Sequence, residues 1–226
     1  MIDIQANLAR VRERIARAAE RSGRRAEDVL LIGVSKTVDL DRIRRAIEAG
    51  VPALGENWVQ EARDKITELG HPVPWHFIGH LQTNKARDAV ELFDVVQSLD
   101  RLDLARELDK RARARGRVVE TLVEVNVGGE ASKSGVAPDG LGPLLDAIAM
   151  LPDVRVRGLM AIPPEGKEPD DSRVWFRALR KLGERHGLTQ LSMGMSGDFE
   201  IAIEEGATVV RVGTAIFGPR QPRGGV

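Results

Sequence analysis

The amino-acid sequence predicts an α/β protein in which eight parallel strands and their crossover helices close into a single (β/α)8, TIM-like barrel. Three observations lead there. Eight short β-branched runs alternate with segments of helical period, the pattern of a parallel sheet. Two of those runs, 29–34 and 209–212, are apolar on both faces apart from Arg211, as strands covered on both sides require. At 226 residues the chain lies near the lower size limit of such barrels, and no Gly-x-Gly-x-x-Gly turn follows the first run to suggest an open dinucleotide-binding sheet.

The elements follow in order. Ile4, Leu8, Val11, Ile15 and Ala18 step by four, three, four and three, one face of an amphipathic helix within residues 1–24. Arginines interrupt that stretch, so it does not read as a secretion signal. Strands are then expected over 29–35, 53–54, 75–78, 95–97, 118–127, 154–159, 190–192 and 208–212. Helical patterns fill the intervals at 40–49, 58–69, 83–92, 102–115, 141–150, 172–186 and 199–204. The stretches 127–135 (VGGEASKSG) and 163–171 (PPEGKEPDD) follow strands, which places both on the C-terminal face where barrels build their sites. No boundary divides residues 1–226, read here as one domain. The Pro- and Gly-bearing tail 219–226 has no apolar anchor and is expected to fray.

Composition removes several functions. Lys+Arg and Asp+Glu both number 34, so the formal net charge is zero, which argues against nucleic acid as a partner. The basic clusters Arg21, Arg24, Arg25 and Arg111, Arg113, Arg115 fall on predicted helix ends, where cations suit the dipole. Cysteine is absent, which excludes disulfides, thiolate zinc sites and a thiol nucleophile. Tyrosine is absent too. No apolar run approaches the ~20 residues of a membrane span, and the expected compartment is the cytosol. His71, His76 and His80 are spaced by five and four across a strand and do not converge, so no metal is expected. Trp58, Trp75 and Trp175 read as core or interface anchors.

Three places carry candidate chemistry. Lys36 ends the first strand in LLIGVSKT and shares a strand face with Val34 and Ile32. If that face lines the barrel, the lysine stands over its mouth, loses hydration and becomes a nucleophile toward carbonyls. The plain alternative is a strand-end lysine snorkelling to solvent. In LSMGMSGDFE, Ser196 and Gly197 offer free N–H groups and a hydroxyl to a phosphate. RVGTAIFG adds Gly213 and Thr214, and barrels frequently bind phosphate with the loops after strands seven and eight. Ordinary capping and turn-making explain the same residues equally well. Arg211, inside an apolar strand, needs either a bound ligand or an ion pair with Glu56, Glu124 or another strand-end carboxylate.

The strings GVSKT at 33–37, GENWVQEARDK at 55–65, WHFIGHLQTNK at 75–85, SMGMSGDFEIAIEEGAT at 192–208 and VRVGTAIFG at 210–218 resemble, in order and spacing, those of the pyridoxal phosphate homeostasis protein family. The resemblance implies a barrel like the N-terminal domain of alanine racemase, with pyridoxal 5′-phosphate (PLP) as its ligand. It implies that Lys36 forms a Schiff base with PLP and that Ser196, Gly213 and Thr214 contact the phosphate. It further implies that Arg211 faces the pyridine nitrogen, and that Asn57 and His80 line the ring face. Trp58 stands where a tyrosine is common, so an aromatic ring is kept without its hydroxyl.

On this reading the chain carries or buffers PLP rather than turning over amino acids. A charged Arg211 disfavours a proton on the ring nitrogen and weakens the cofactor as an electron sink. Racemases of this barrel type use a lysine and a tyrosine from a partner subunit, and this chain has neither a tyrosine nor a second β domain. One alternative is a PLP enzyme with weak racemase-like or other activity, with His80 or Lys133 as the second group. Another is a Schiff-base lyase without PLP, in which Lys36 attacks a phosphorylated ketose and Arg211 is left idle. The expected partners are PLP and PLP-dependent apoenzymes, and the chain is expected to be a monomer.

Overall fold

The periodic stripe near the start folds as helix α1 (Ile4–Arg21), capped by the Asp3 carboxylate, which accepts from the Ala6 N–H at 2.9 Å. A computed structural model describes residues 2–219, and in it Ile4, Leu8, Val11, Ile15 and Ala18 are all buried. Strands β1 (Leu30–Val34), β2 (Ala53–Glu56), β3 (Trp75–Phe77), β4 (Val95–Leu99), β5 (Val119–Glu124), β6 (Val154–Met160), β7 (Gln190–Ser192) and β8 (Val209–Val212) follow. Each pairs in parallel with its neighbour in sequence, and β8 returns to β1 to close the barrel. Closure sets Ile32 opposite Arg211 and leaves no edge strand. One helix follows each strand in turn: α2 (Leu40–Glu48), α3 (Val59–Leu69), α4 (Ala86–Leu92), α5 (Leu102–Ala114), α6 (Leu141–Ile148), α7 (Arg173–Arg185), α8 (Phe199–Glu204) and α9 (Thr214–Phe217).

Alternation of side chains across the strands creates two interiors. Leu31, Leu54, Val210 and Val212 pack with Ile43, Ala46, Phe199 and Ala202 in the layer between sheet and helices. Leu30, Ile32, Ala53 and Val209 form a smaller apolar cluster inside the barrel. The rest of that inner space holds buried polar groups, which are tolerated because they satisfy one another. Arg211 Nη1 donates to Ser192 Oγ at 2.7 Å, Ser192 Oγ donates to Gln97 Oε1 at 2.6 Å, and Gln97 Nε2 meets His76 Nδ1 at 2.9 Å. Close approach of β6 to β7 depends on Gly158, where a Cβ would come within 1.9 Å of the Gln190 carbonyl oxygen.

Boundaries depart from expectation where short-range geometry intervenes. The helix expected over 83–92 begins as a 3-10 turn, Thr83–Lys85, before α4. A similar turn, Pro169–Ser172, occupies part of the polar stretch 163–171 and precedes α7. The strand expected over 118–127 ends at Glu124, beyond which Val125 makes only an isolated bridge to Val136. The four-residue α9 is too short to show a period and was not expected. Of the tail 219–226 only Pro219 lies among the described residues, so the expected fraying falls outside them.

Two surface expectations are settled differently. Trp58 is 41% exposed and anchors no core, because it precedes the buried stripe of Val59, Ala62 and Ile66 at the start of α3. Trp75 is fully buried, and Trp175 is half-buried. The basic clusters are held within the molecule: Arg21 pairs with Glu204, Arg25 with Asp28, Arg113 with Asp109 and Asp153, and Arg115 with Glu91. Among the described residues no helix is long and apolar enough to cross a membrane.

Candidate functional site

β1 ends at Val34, and Lys36 follows it in the turn Ser35–Lys36–Thr37. Thr37 takes φ 60°, the left-handed region that side chains other than glycine rarely adopt, and no other described non-glycine residue does so. Lys36 is half-buried and lines one pocket with Val34, Thr37, Arg42, Gly213 and Thr214.

The opposite wall comes from the loop after β8, which the loop after β7 braces. Ser196 Oγ accepts from the Gly213 N–H at 3.2 Å and the Ala215 N–H at 3.5 Å. Two backbone donors at the start of α9 thus already converge on an oxygen. A Cβ on Gly213 would lie 3.4 Å from the Val34 carbonyl oxygen and 3.5 Å from Val34 Cβ, narrowing the gap between β8 and β1 beside Lys36. At Gly197 a Cβ would meet nothing within 4 Å, and Gly197 borders a pocket with Lys133, Ile162 and Pro163.

Arg211 precedes Gly213 by two residues and therefore shares its strand face. It is 3% exposed, and its second nitrogen, Nη2, donates to the Ala161 carbonyl at 3.0 Å. Burial pushes the guanidinium down to about 10, with Glu124 and Asp198 acting in the other direction, so it remains charged at neutral pH. Of the two carboxylates expected as its partner, Glu56 is engaged elsewhere, with Lys65 at 2.7 Å. Glu124, at the end of β5, is the one that faces it electrostatically. Burial and the neighbouring Asp100 push the Glu124 carboxyl up to about 7, against the pull of Arg211.

A second pocket at the same mouth is lined by Asn57, His80, Glu124, Lys133 and Ser134. His80 is exposed at the rim, with Nδ1 3.0 Å from Ser134 Oγ and 3.8 Å from Asp100 Oδ2. Asn57 Oδ1 and Thr37 Oγ1 are buried without a hydrogen-bond partner, two orphaned polar atoms at the mouth. Lys133 donates to the Pro163 carbonyl at 2.8 Å and pairs with Glu130, so it ties two mouth loops together instead of standing as a solvated charge.

The structure therefore brings Lys36, Gly213 and Thr214 into one pocket, with Ser196 bonded to its backbone; Asn57 and His80 line a separate pocket, and Arg211, buried at the end of β8, lines neither. Among the described residues no three His, Asp or Glu side chains cluster as a metal would require. Sequence reasoning missed Ser192 and Gln97, which hold Arg211, because an alternating strand pattern does not disclose the partner of a polar residue. Chemically, the site offers an amine, an oxygen-binding pair of N–H groups and a buried cation.

Comparison with known proteins follows the same lines. The family described as alanine racemase, N-terminal domain, matches residues 6–221. A protein of Aquifex aeolicus named pyridoxal phosphate homeostasis protein is 48% identical over 221 residues, covering 95% of this chain and 97% of its own. One of the same name from Pseudomonas aeruginosa is 47% identical over 223 residues, covering 97% of each. PipY of Synechococcus elongatus, solved with PLP bound, superposes with a TM-score of 0.83 at 37% identity, covering 96% of this chain and all 100% of that one.

Proposed function

Because this chain belongs to the alanine racemase N-terminal domain family, and within it to the pyridoxal phosphate homeostasis proteins, we propose that it binds PLP and carries or buffers it on Lys36. One observation carries the proposal: Lys36 shares a single pocket with Gly213 and Thr214, the loop that would take a phosphate. When bound, PLP supplies an aldehyde that condenses with a primary amine and a ring that can draw electrons from it. Lys36 provides the amine. The N–H groups now converging on Ser196 Oγ, with Ser196 and Thr214 hydroxyls, fit a phosphate, and the unpartnered Asn57 Oδ1 and Thr37 Oγ1 fit a polar ligand at the mouth. His80 borders the ring side of the same mouth.

Arg211 makes this site a holder rather than a reactor. Its guanidinium is buried, fixed by Ser192 and Ala161, and charged at neutral pH, so it opposes a second positive charge on a ring nitrogen facing it. The chain also contains no tyrosine to serve as an opposing base. In this reading residues 1–226 act as one domain and a monomer in the cytosol, and the recipients are apoenzymes that require the cofactor. A weak amino-acid activity is the second reading, favoured by the buried Glu124, whose carboxyl titrates about 7 beside the same mouth. Solvent-deuterium exchange at Cα of amino acids above that of free PLP would support it.

The test is the absorption spectrum of the purified protein before and after borohydride, with the mass of the Lys36 peptide. A Schiff-base band that borohydride removes, and a pyridoxyl group on Lys36, are expected. Lys36→Ala should lose both. Wild-type protein that stays colourless after incubation with PLP overturns the proposal.

A further inference from the structure

Both residues flanking Lys36 are tied to one buried ion cluster that none of the roles above uses. Lys65, on α3, is 6% exposed, and its Nζ donates to the Ser35 carbonyl at 2.6 Å, to Glu56 Oε1 at 2.7 Å and to Glu61 Oε1 at 2.7 Å. Glu56, completely buried at the end of β2, also accepts from the Ser35 hydroxyl at 2.7 Å. Glu61 accepts from the Thr37 N–H at 2.5 Å. The cluster therefore grips the residue before Lys36 by its carbonyl and hydroxyl, and the residue after it by its N–H.

The grip falls where the backbone needs one. A threonine at φ 60° is strained, and such a conformation persists only when its surroundings over-determine it. A buried lysine is equally expensive unless its donors are satisfied, and here all three are. Each element stabilises the other: the Ser35 carbonyl and two acidic side chains satisfy the ammonium, and one oxygen of Glu61 accepts both from Lys65 and from the strained N–H. No alternative partner for the Thr37 N–H appears in the turn, where Val38 N–H already closes on the Ser35 carbonyl at 3.0 Å.

We propose that Glu61 and Lys65 are positioning residues: with Glu56 they lock the Ser35–Thr37 turn in the left-handed bend that directs the Lys36 amine into the pocket of Gly213 and Thr214. This rests on Lys36 being the amine that takes PLP. Glu61 acts through the turn and needs to touch no ligand. Its role requires an acceptor oxygen, so an amide serves nearly as well as a carboxylate. An alanine does not.

The experiment measures the rate at which PLP added to ligand-free protein becomes borohydride-trappable on Lys36, read by peptide mass, with melting temperature recorded alongside. Glu61→Ala should slow adduct formation by roughly tenfold or more, the scale expected for a misplaced reacting group. Glu61→Gln should recover to within about twofold, given the retained oxygen. Adding Thr37→Gly to Glu61→Ala should recover part of the rate, because glycine adopts the bend without a tether. A second measurement needs no variant: the Thr37 amide of the wild-type protein should be protected from hydrogen exchange. Equal rates for Glu61→Ala and wild type, equal losses in the alanine and glutamine variants, or a rapidly exchanging Thr37 amide would each overturn the inference while leaving the carrier reading intact. Absence of any Lys36 adduct in wild type would instead overturn the carrier reading.

Discussion

His76 and Glu124 are buried titratable side chains of the barrel wall, and they bend its stability with pH in opposite directions. Burial pushes His76 down from 6.5 to about 4, against Asp94 and Glu120. Between those values the unfolded chain binds more protons than the folded one. Its contribution is therefore full above 6.5 and is lost as pH falls toward 4. Glu124 is raised from 4.5 to about 7, so the folded state binds more protons in that interval. Its contribution is full below 4.5 and is lost as pH rises through 7. Each shift corresponds to about 3 kcal/mol. Urea unfolding across pH 4–8 should show His76→Asn flattening the acid side and Glu124→Gln flattening the neutral side; unchanged slopes in both variants would contradict the assignment. At this scale the sequence was legible where its strings resemble a family's, which singles out Lys36, Ser196, Gly213 and Thr214 that position alone leaves open. It was not legible where a residue's meaning lies in a distant partner, as with Ser192 and Gln97, 95 positions apart.

Elements were read more reliably than residues, because helical and strand periods are local signals. The β7 run at 190–192 and the α8 run at 199–204 match the structure at both ends. α9 escaped because four residues complete barely one turn, and of the two readings of Trp58, core or interface anchor, its exposed ring at a helix start removes the first. Tight interstrand packing was also hidden, since a glycine in a strand pattern has several explanations. Gly158→Ala tests that packing: its Cβ would collide with the Gln190 carbonyl and force β6 and β7 apart. Overpacking of this kind costs on the order of 3 kcal/mol, which should lower Tm by roughly 6–12 °C for a chain of this size. A change within about 1 °C would show that the strands are less closely apposed.

For the whole molecule, closure of the sheet is what gathers the site. Lys36 and Gly213 belong to opposite ends of the sequence and meet only because β8 pairs with β1. A ligand bridging them should therefore stabilise the fold globally. At a hundredfold excess over its Kd, PLP should add about 2.7 kcal/mol, raising Tm by roughly 5–10 °C. Lys36→Ala should show a smaller rise, since the loops proposed to hold the phosphate remain; no rise in wild type would mean that ligand binding and barrel closure are unlinked.

The row of hydrogen bonds from Arg211 to His76 has a polarity. With His76 neutral and its proton on Nε2, Nδ1 accepts from the Gln97 amide, which turns Oε1 toward Ser192 and draws the serine proton that way. A proton on Nδ1 would reverse the amide and aim an N–H at the serine oxygen, which accepts it on its second lone pair beside Arg211 and leaves the serine O–H without its acceptor. The far end of the barrel and the guanidinium are thus joined through hydrogen-bond orientation alone, with no charge moving between them.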